Sequence, residues 1–386
     1  MTSKTFMLIA GEASGDLLAA ELVLALRQQW PEARFIGAGG TKMKVAGVHL
    51  AFDLTQHSVI GISEVLKNFS EYRRLFNQLL ELAEKQKPDA VIGVDYGGFN
   101  LRFGHAVKKL ARRYRSAAPP WKPKIIQYVS PQVWASRPGR AKRLQKDYDL
   151  LLSIFPFEKD WYAKRVPKLR VEFVGHPMLE RFQESKAQSP KSYAPNSTPT
   201  VLLLPGSRES ELQRHLPVML EAFKSVQSKL PEAQASLVLP NNELAQLAKS
   251  FAVPDSIKIQ TGKLPEALAQ ADAAIASTGT VTMECAFFGV PAVTLYKTSW
   301  LTYQIAKRIV TVKSLTMPNL LAGVAVYPEF VQDAATAENL AAAALDLLQN
   351  EPRRAQIKEQ LAHVISTLGG PGASTRAAAA ISSLFT

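Results

Sequence analysis

Short apolar runs, each closed by small or polar turn residues and followed by a segment of helical periodicity, recur along the chain. Residues 5–10 form the first run, ahead of an Ala/Leu-rich segment ending near Gln29, and residues 34–37 repeat the strand pattern. Runs at 89–94, 125–129, 150–154 and 172–174 continue this first set. A second set passes through 201–204, positions near Ala235 and Lys258, 273–276 and 292–295, with helical segments at 337–348 and 353–366 behind it. Strands alternating with helices in this way predict an α/β fold with parallel sheets. Between the sets, S-P-K-S-Y-A-P-N-S-T-P within residues 184–199 reads as a linker. The expected organisation is a first domain over 1–183, the linker over 184–199, a second domain over 200–368, and a final Ala-rich helix over 369–386. That helix follows the break Gly369-Gly370-Pro371-Gly372 and is a candidate to return to the first domain.

The polar residues where the runs stop are the candidate chemistry. In the second set, Ser277-Thr278-Gly279-Thr280 breaks a strand and opens a helix, leaving backbone N–H groups that make an anion site. Glu284 stands in the second turn of that helix, which ends at Gly289 before Pro291. A lone helical acid is ordinarily a solvated surface charge. Just past a glycine turn, however, its carboxylate can accept hydrogen bonds from the hydroxyls of a ligand whose phosphates sit at the turn. A second such unit is T-V-L-L-L-P-G-S-R-E-S-E at 200–211, where Pro205-Gly206-Ser207 turns tightly and Arg208 opens a helix with Glu211 in approximate capping register. An arginine there opposes the helix dipole, and a pyrophosphate held by the Gly-Ser turn and the guanidinium would compensate it.

In the first set, Glu12, Ser14 and Asp16 of G-E-A-S-G-D cluster beyond the first strand, where α/β folds place ligands. The turn matches neither a Walker loop nor G-x-S-x-G, and a plain connector is the competing reading. Gly37-Ala38-Gly39-Gly40 reads as a flexible loop that half matches a dinucleotide motif. Asp95, in V-I-G-V-D-Y-G-G-F-N, ends a hydrophobic strand and is the best general-base candidate of the first half; the alternative is that it caps a helix beginning near Phe99. Asp147 and Asp149 have a D-x-D spacing but precede their strand, so no metal site is expected there. His176, before Pro177, reads as structural, and residues 317–323 read as a rigid loop carrying Asn319 among apolar neighbours. Over residues 61–83, Val65, Leu66, Phe69 and their successors follow a helical stripe with Lys67, Arg73 and Arg74 between them, a pattern most often buried as core.

Charge narrows the partners. With 46 Lys and Arg against 33 Asp and Glu the chain carries +13, which suits nucleic acid, an anionic lipid surface or phosphorylated substrates. No RNA- or DNA-binding module is recognised, so nucleic acid is not an expected partner. The single Cys285 excludes an intrachain disulfide framework and points to a reducing compartment. No signal pattern and no apolar run of about 20 residues is present, so the expected place is the cytoplasm with at most peripheral membrane contact.

Taken together, G-E-A-S-G-D, S-P-Q-V-W, G-H-P, L-L-P-G-S-R-x-x-E, T-G-T-x-T-x-E and P-N-L-L-A-G, in this order over nearly the whole chain, resemble the lipid A disaccharide synthases, inverting glycosyltransferases of the GT-B type. The resemblance implies two Rossmann-like domains facing across a cleft, with no cofactor and no metal. It also implies transfer of 2,3-diacylglucosamine from UDP-2,3-diacylglucosamine to 2,3-diacylglucosamine 1-phosphate (lipid X), giving a β-1,6 tetraacyl disaccharide 1-phosphate and UDP. By motif, Asp95 resembles the essential acid and Arg208, Glu284 and Asn319 the donor-site residues, with Gly206, Ser207, Gly279 and Thr280 in the pyrophosphate turns. The chain departs from the family pattern at Gly97, where proline is expected, and at Ser136, where a second aromatic is expected, both on the acceptor side. Acylated substrates turn the 61–83 stripe into a mixed core and lipid contact, with Val65, Leu66, Phe69, Arg73 and Arg74 docking on the anionic inner-membrane surface. A homodimer is left open; a sugar-nucleotide epimerase of the same fold is the first rival reading, and a basic nucleic-acid-binding protein, which fits the +13 charge, is the second and less favoured one.

Overall fold

In the computed structural model, which describes residues 3–57, 69–183 and 198–385, the strands form two separate sheets whose neighbours all run parallel. The first contains β1 (Thr5–Ala10), β2 (Arg34–Gly39), β3 (His49–Asp53), β4 (Ala90–Val94), β5 (Lys124–Tyr128), β6 (Leu150–Ser153) and β7 (Val171–Phe173), in the order β3-β2-β1-β4-β5-β6-β7. The second contains β8 (Thr200–Leu204), β9 (Gln234–Leu239), β10 (Ile257–Thr261), β11 (Ala273–Ser277), β12 (Ala292–Tyr296) and β13 (Glu329–Val331), in the order β10-β9-β8-β11-β12-β13. Helices cover both faces of such sheets, which is why β1, β4 and β11 are continuous apolar runs without alternation. This is the doubly wound Rossmann arrangement twice over, and each sheet reverses its winding at one place, between β1 and β4 and between β8 and β11.

The chain divides into two compact units, Met1–Pro177 with Leu368–Thr386, and Met178–Thr367. Residues 178–183, attached to the first domain by sequence pattern, belong to the second unit, where the Phe182 ring lies 6.0 Å from those of Phe287 and Phe288. The final helix Ala373–Ser382 packs in the first unit on helix Ala13–Gln29. Trp30 Nε1 donates to Ser382 Oγ at 2.7 Å, and Phe385 meets the edge of Phe6 at 5.9 Å.

Several local expectations change. Gly37-Ala38-Gly39 is not a loop but part of β2, and Gly37 is required because a Cβ there would overlap the Leu8 carbonyl oxygen of β1. Residues 317–322 are the helix Met317–Ala322 rather than a rigid loop, with Pro318 in its first turn. Of the expected lipid contacts, Val65 and Leu66 lie outside the described residues, as does the 184–197 part of the linker. The helix Phe69–Gln86 sends Leu75, Leu79 and Ala83 into the core and leaves Arg73 and Arg74 exposed, Arg74 lying 3.7 Å from Glu71. Among the described residues no helix is long and apolar enough to cross a membrane.

Candidate active site

At the first reversal point, β1 and β4 run side by side with Ala10 opposite Val94, so the turns that follow them meet. The Tyr96 ring lies against the Gly11 backbone, where any Cβ would overlap it. Beyond Val94 the chain takes the left-handed conformation at Asp95 (φ 50°) and again at Tyr96 (φ 46°), and Val129, after the neighbouring strand β5, does the same at 65°. Three such residues bearing side chains are costly, and a β-branched valine most of all. Two buried amides hold the strained backbone: Asn100 Nδ2 and Gln127 Nε2 donate to the Asp95 carbonyl at 2.8 and 2.9 Å. The Asp95 N–H donates to the Tyr128 carbonyl at 2.9 Å.

This leaves the Asp95 carboxyl half-buried, with the Tyr96 N–H donating to it. Burial first, and the nearby Glu12 carboxylate second, push its pKa up from 3.8 to about 6, against the lowering effect of the Tyr96 N–H. The helix that follows starts at Gly97 rather than near Phe99, and the residue at its N-cap is Tyr96, which makes no side-chain capping bond. Gly97 itself fits because Pro131 lies where a side chain would project, 2.8 Å from an added Cβ.

The G-E-A-S-G-D residues separate. Glu12 is the N-cap residue of helix Ala13–Gln29 and faces Asp95 electrostatically, while Ser14 is exposed on the helix's first turn. Asp16, expected on the acceptor side, is instead buried: its carboxylate accepts the N–H groups of Gly40, Lys42 and Met43 at 2.7, 2.9 and 3.1 Å and so caps the short helix Thr41–Val45. Two residues that the sequence reading missed secure the S-P-Q-V-W loop. The buried Glu158 accepts from Trp134 Nε1 at 2.9 Å, and Tyr162 OH lies 3.0 Å from Ser130 Oγ. Burial raises the Glu158 pKa to about 7 despite those hydrogen bonds. An acid at the third position of a helix opened by Pro156 was the available signal. Asp147 and Asp149 diverge, the first toward His105 Nδ1 at 2.8 Å and the second toward Lys108 at 3.1 Å.

At the second reversal point, Ala276 of β11 pairs with Leu204 of β8, bringing both glycine turns of the sequence together. Gly206 (φ 123°) and Gly279 (φ 138°) adopt backbones that side chains rarely reach. The helix Glu209–Lys229 begins after Arg208, which occupies the N-cap rather than the first turn. Its compensating charge is already in the chain: Glu211 accepts the Ser207 N–H at 3.0 Å and lies 3.3 Å from an Arg208 guanidinium nitrogen. The second helix, Thr280–Phe288, presents Gly279 and Thr280 at the surface. Glu284 is half-buried on it; burial raises its pKa and the Arg181 charge lowers it. His215, also missed, fastens this end of the sheet. Its Nδ1 lies 2.7 Å from the Pro205 carbonyl and its Nε2 accepts the Lys297 N–H at 3.0 Å, the arrangement of a neutral ring whose pKa burial lowers.

Asn319 is tied to the fold. Only 2% exposed, it donates both amide hydrogens, to the Tyr327 carbonyl and to Glu329 Oε1, each at 2.8 Å, and accepts the Tyr327 N–H at 2.8 Å. These bonds join helix Met317–Ala322 to β13, so Asn319 positions these elements.

Two doubly wound units, each with polar turns at its reversal point, define the fold class shared by GT-B glycosyltransferases and sugar-nucleotide epimerases. Among solved structures, the UDP-GlcNAc 2-epimerase of Neisseria meningitidis bound to UDP-GlcNAc has this fold (TM-score 0.65, 12% identity, 99% of each chain covered). So does CalG4, the calicheamicin glycosyltransferase (TM-score 0.58, 13% identity, 99% and 98% covered). The family model of the lipid-A-disaccharide synthetases matches residues 6–383, and the chain belongs to this family of glycosyltransferases. Similar relatives include the lipid-A-disaccharide synthases of Syntrophus aciditrophicus (37% identical, 98% of this chain and 97% of the relative) and Trichlorobacter lovleyi (36%, 99% and 97%).

Proposed function

We propose that the chain transfers 2,3-diacylglucosamine from UDP to lipid X with inversion, giving the β-1,6 disaccharide 1-phosphate and UDP. The observation that carries this reading is Asp95, a carboxyl at a β-strand's carboxyl end, held by buried amides and poised with a pKa of about 6. As the acceptor 6-hydroxyl attacks the donor's anomeric carbon, Asp95 takes its proton while the bond from that carbon to the UDP oxygen breaks. Attack opposite UDP in one displacement inverts the centre. The leaving pyrophosphate is stabilised by backbone N–H groups at Gly206-Ser207 and Gly279-Thr280 and by Arg208. Because the Ser207 N–H is given to Glu211, the phosphate exchanges with that carboxylate. Glu284 accepts the ribose hydroxyls.

The acyl chains place the enzyme against the cytoplasmic face of the inner membrane. The test is to incubate purified protein with UDP-2,3-diacylglucosamine and lipid X and score disaccharide and UDP. Equal yields of the two support the reading. Epimerised sugar formed from the donor alone would replace it with the activity named for the epimerase neighbours.

A further inference from the structure

The helix Trp300–Ile309 follows β12 in the second unit, and none of its residues is buried. Trp300, Leu301 and Ile305 are 73%, 64% and 46% exposed, and Val310, Leu315 and Val324 add to the exposed apolar surface. At about 100° per residue, Trp300 and Lys307 share one line along the helix, and Leu301, Ile305 and Arg308 share the adjoining one. The inward positions Thr302, Tyr303, Ala306 and Ile309 are half-buried. A solvent-facing side with Trp300, Leu301 and Ile305 exposed and basic side chains among them departs from the usual amphipathic order. Charge identifies the occupant: residues 285–328 contain no Asp or Glu, while Lys307, Arg308 and Lys313 are exposed. A solvated helix of ordinary kind would mix both signs.

We infer that this helix is a bilayer-docking element, lying in the interface of an anionic membrane with Trp300, Leu301 and Ile305 below the headgroups and Lys307 and Arg308 on lipid phosphates. It is separate from the 61–83 stripe, and it rests on the proposed lipid chemistry only for the reason a bilayer is met. Full-length protein is sedimented with phosphatidylglycerol and phosphatidylcholine vesicles. Wild type is expected to bind the anionic vesicles, with Trp300 emission shifting to the blue, a shift lost in Trp300→Phe. The triple variant Trp300→Ser, Leu301→Ser, Ile305→Ser is expected to lose about tenfold or more in partitioning with its melting temperature unchanged. Lys307→Glu with Arg308→Glu is expected to lose at least as much, since each basic residue near the surface contributes about fivefold.

Turnover on detergent-dispersed substrates is expected to stay at the wild-type level in both variants. Absent turnover in every protein would instead count against the proposed function and leave the vesicle result standing. Wild-type binding by the triple variant overturns the inference. So does its early melting, which would make the face packed, or a wild-type dimer that the triple variant loses while vesicle binding persists.

Discussion

Replacing Asp95 by asparagine is expected to stabilise the protein and disable it at once. Burial and the Glu12 carboxylate raise the Asp95 pKa from 3.8 to about 6, so at higher pH the fold holds a charge that its surroundings disfavour. Each pH unit between those values corresponds to about 1.4 kcal/mol, giving an upper figure of about 3 kcal/mol. Solvent screening at the half-exposed carboxyl reduces this to about 1–2 kcal/mol. Asparagine carries no charge and keeps an oxygen for the Tyr96 N–H. Because the folded-state value is the higher one, wild type gains stability as pH falls from about 6 toward 3.8, and below that range the asparagine variant keeps no advantage. Melting curves at pH 8, 6 and 4 should therefore show the variant higher at pH 8 and converging with wild type at pH 4. Its turnover should fall by about 10²–10⁴-fold, and wild-type kcat/KM should decline below a pH of about 6. A variant that melts lower at pH 8 and keeps its turnover per folded molecule would refute the reasoning and make Asp95 a structural residue of the strained turn.

Glu284→Ala and Arg208→Ala are each expected to weaken kcat/KM for the UDP-sugar by about 1–3 kcal/mol, since each removes a charge-assisted hydrogen bond; wild-type UDP affinity and turnover would make the two turns scaffold. Asn319→Ala should cost about 1–3 kcal/mol of stability by orphaning the Tyr327 backbone and a Glu329 oxygen, with turnover per folded molecule nearly unchanged. A large loss of turnover without a change in melting would return Asn319 to the donor site. EDTA is expected to leave activity intact, and loss restored by magnesium would contradict transfer driven by Arg208 and the two turns.

What the sequence made legible was local. Uninterrupted apolar runs closed by Gly, Ser or Asp located β1, β4, β8 and β11 and the turns after them, because strands buried on both faces carry no alternation to confuse the pattern. β3 and β13 escaped because they are short and largely half-exposed. Pro318 made residues 317–322 look like a loop, although proline is at home in a helix's first turn. The larger misses concern where polar side chains point. Asp16 and Asn319 have the composition of ligand contacts, yet their partners lie across packed elements: the N–H groups of Gly40, Lys42 and Met43 for the first, Tyr327 and Glu329 for the second. Gln127 and Glu158 do the converse, supporting the candidate site from within the core at separations that no local motif spans; Asn100 and His215 support it from nearer in the chain, but nothing in their composition says that they turn inward.

The anomeric configuration of the product tests the central claim most directly. Disaccharide made from an α-linked UDP-diacylglucosamine donor should show, by the one-bond carbon–proton coupling at the newly linked anomeric centre, a pure β-linkage, with one UDP released per disaccharide. An α-linked product, or UDP released without disaccharide, would contradict a single displacement with Asp95 as its base.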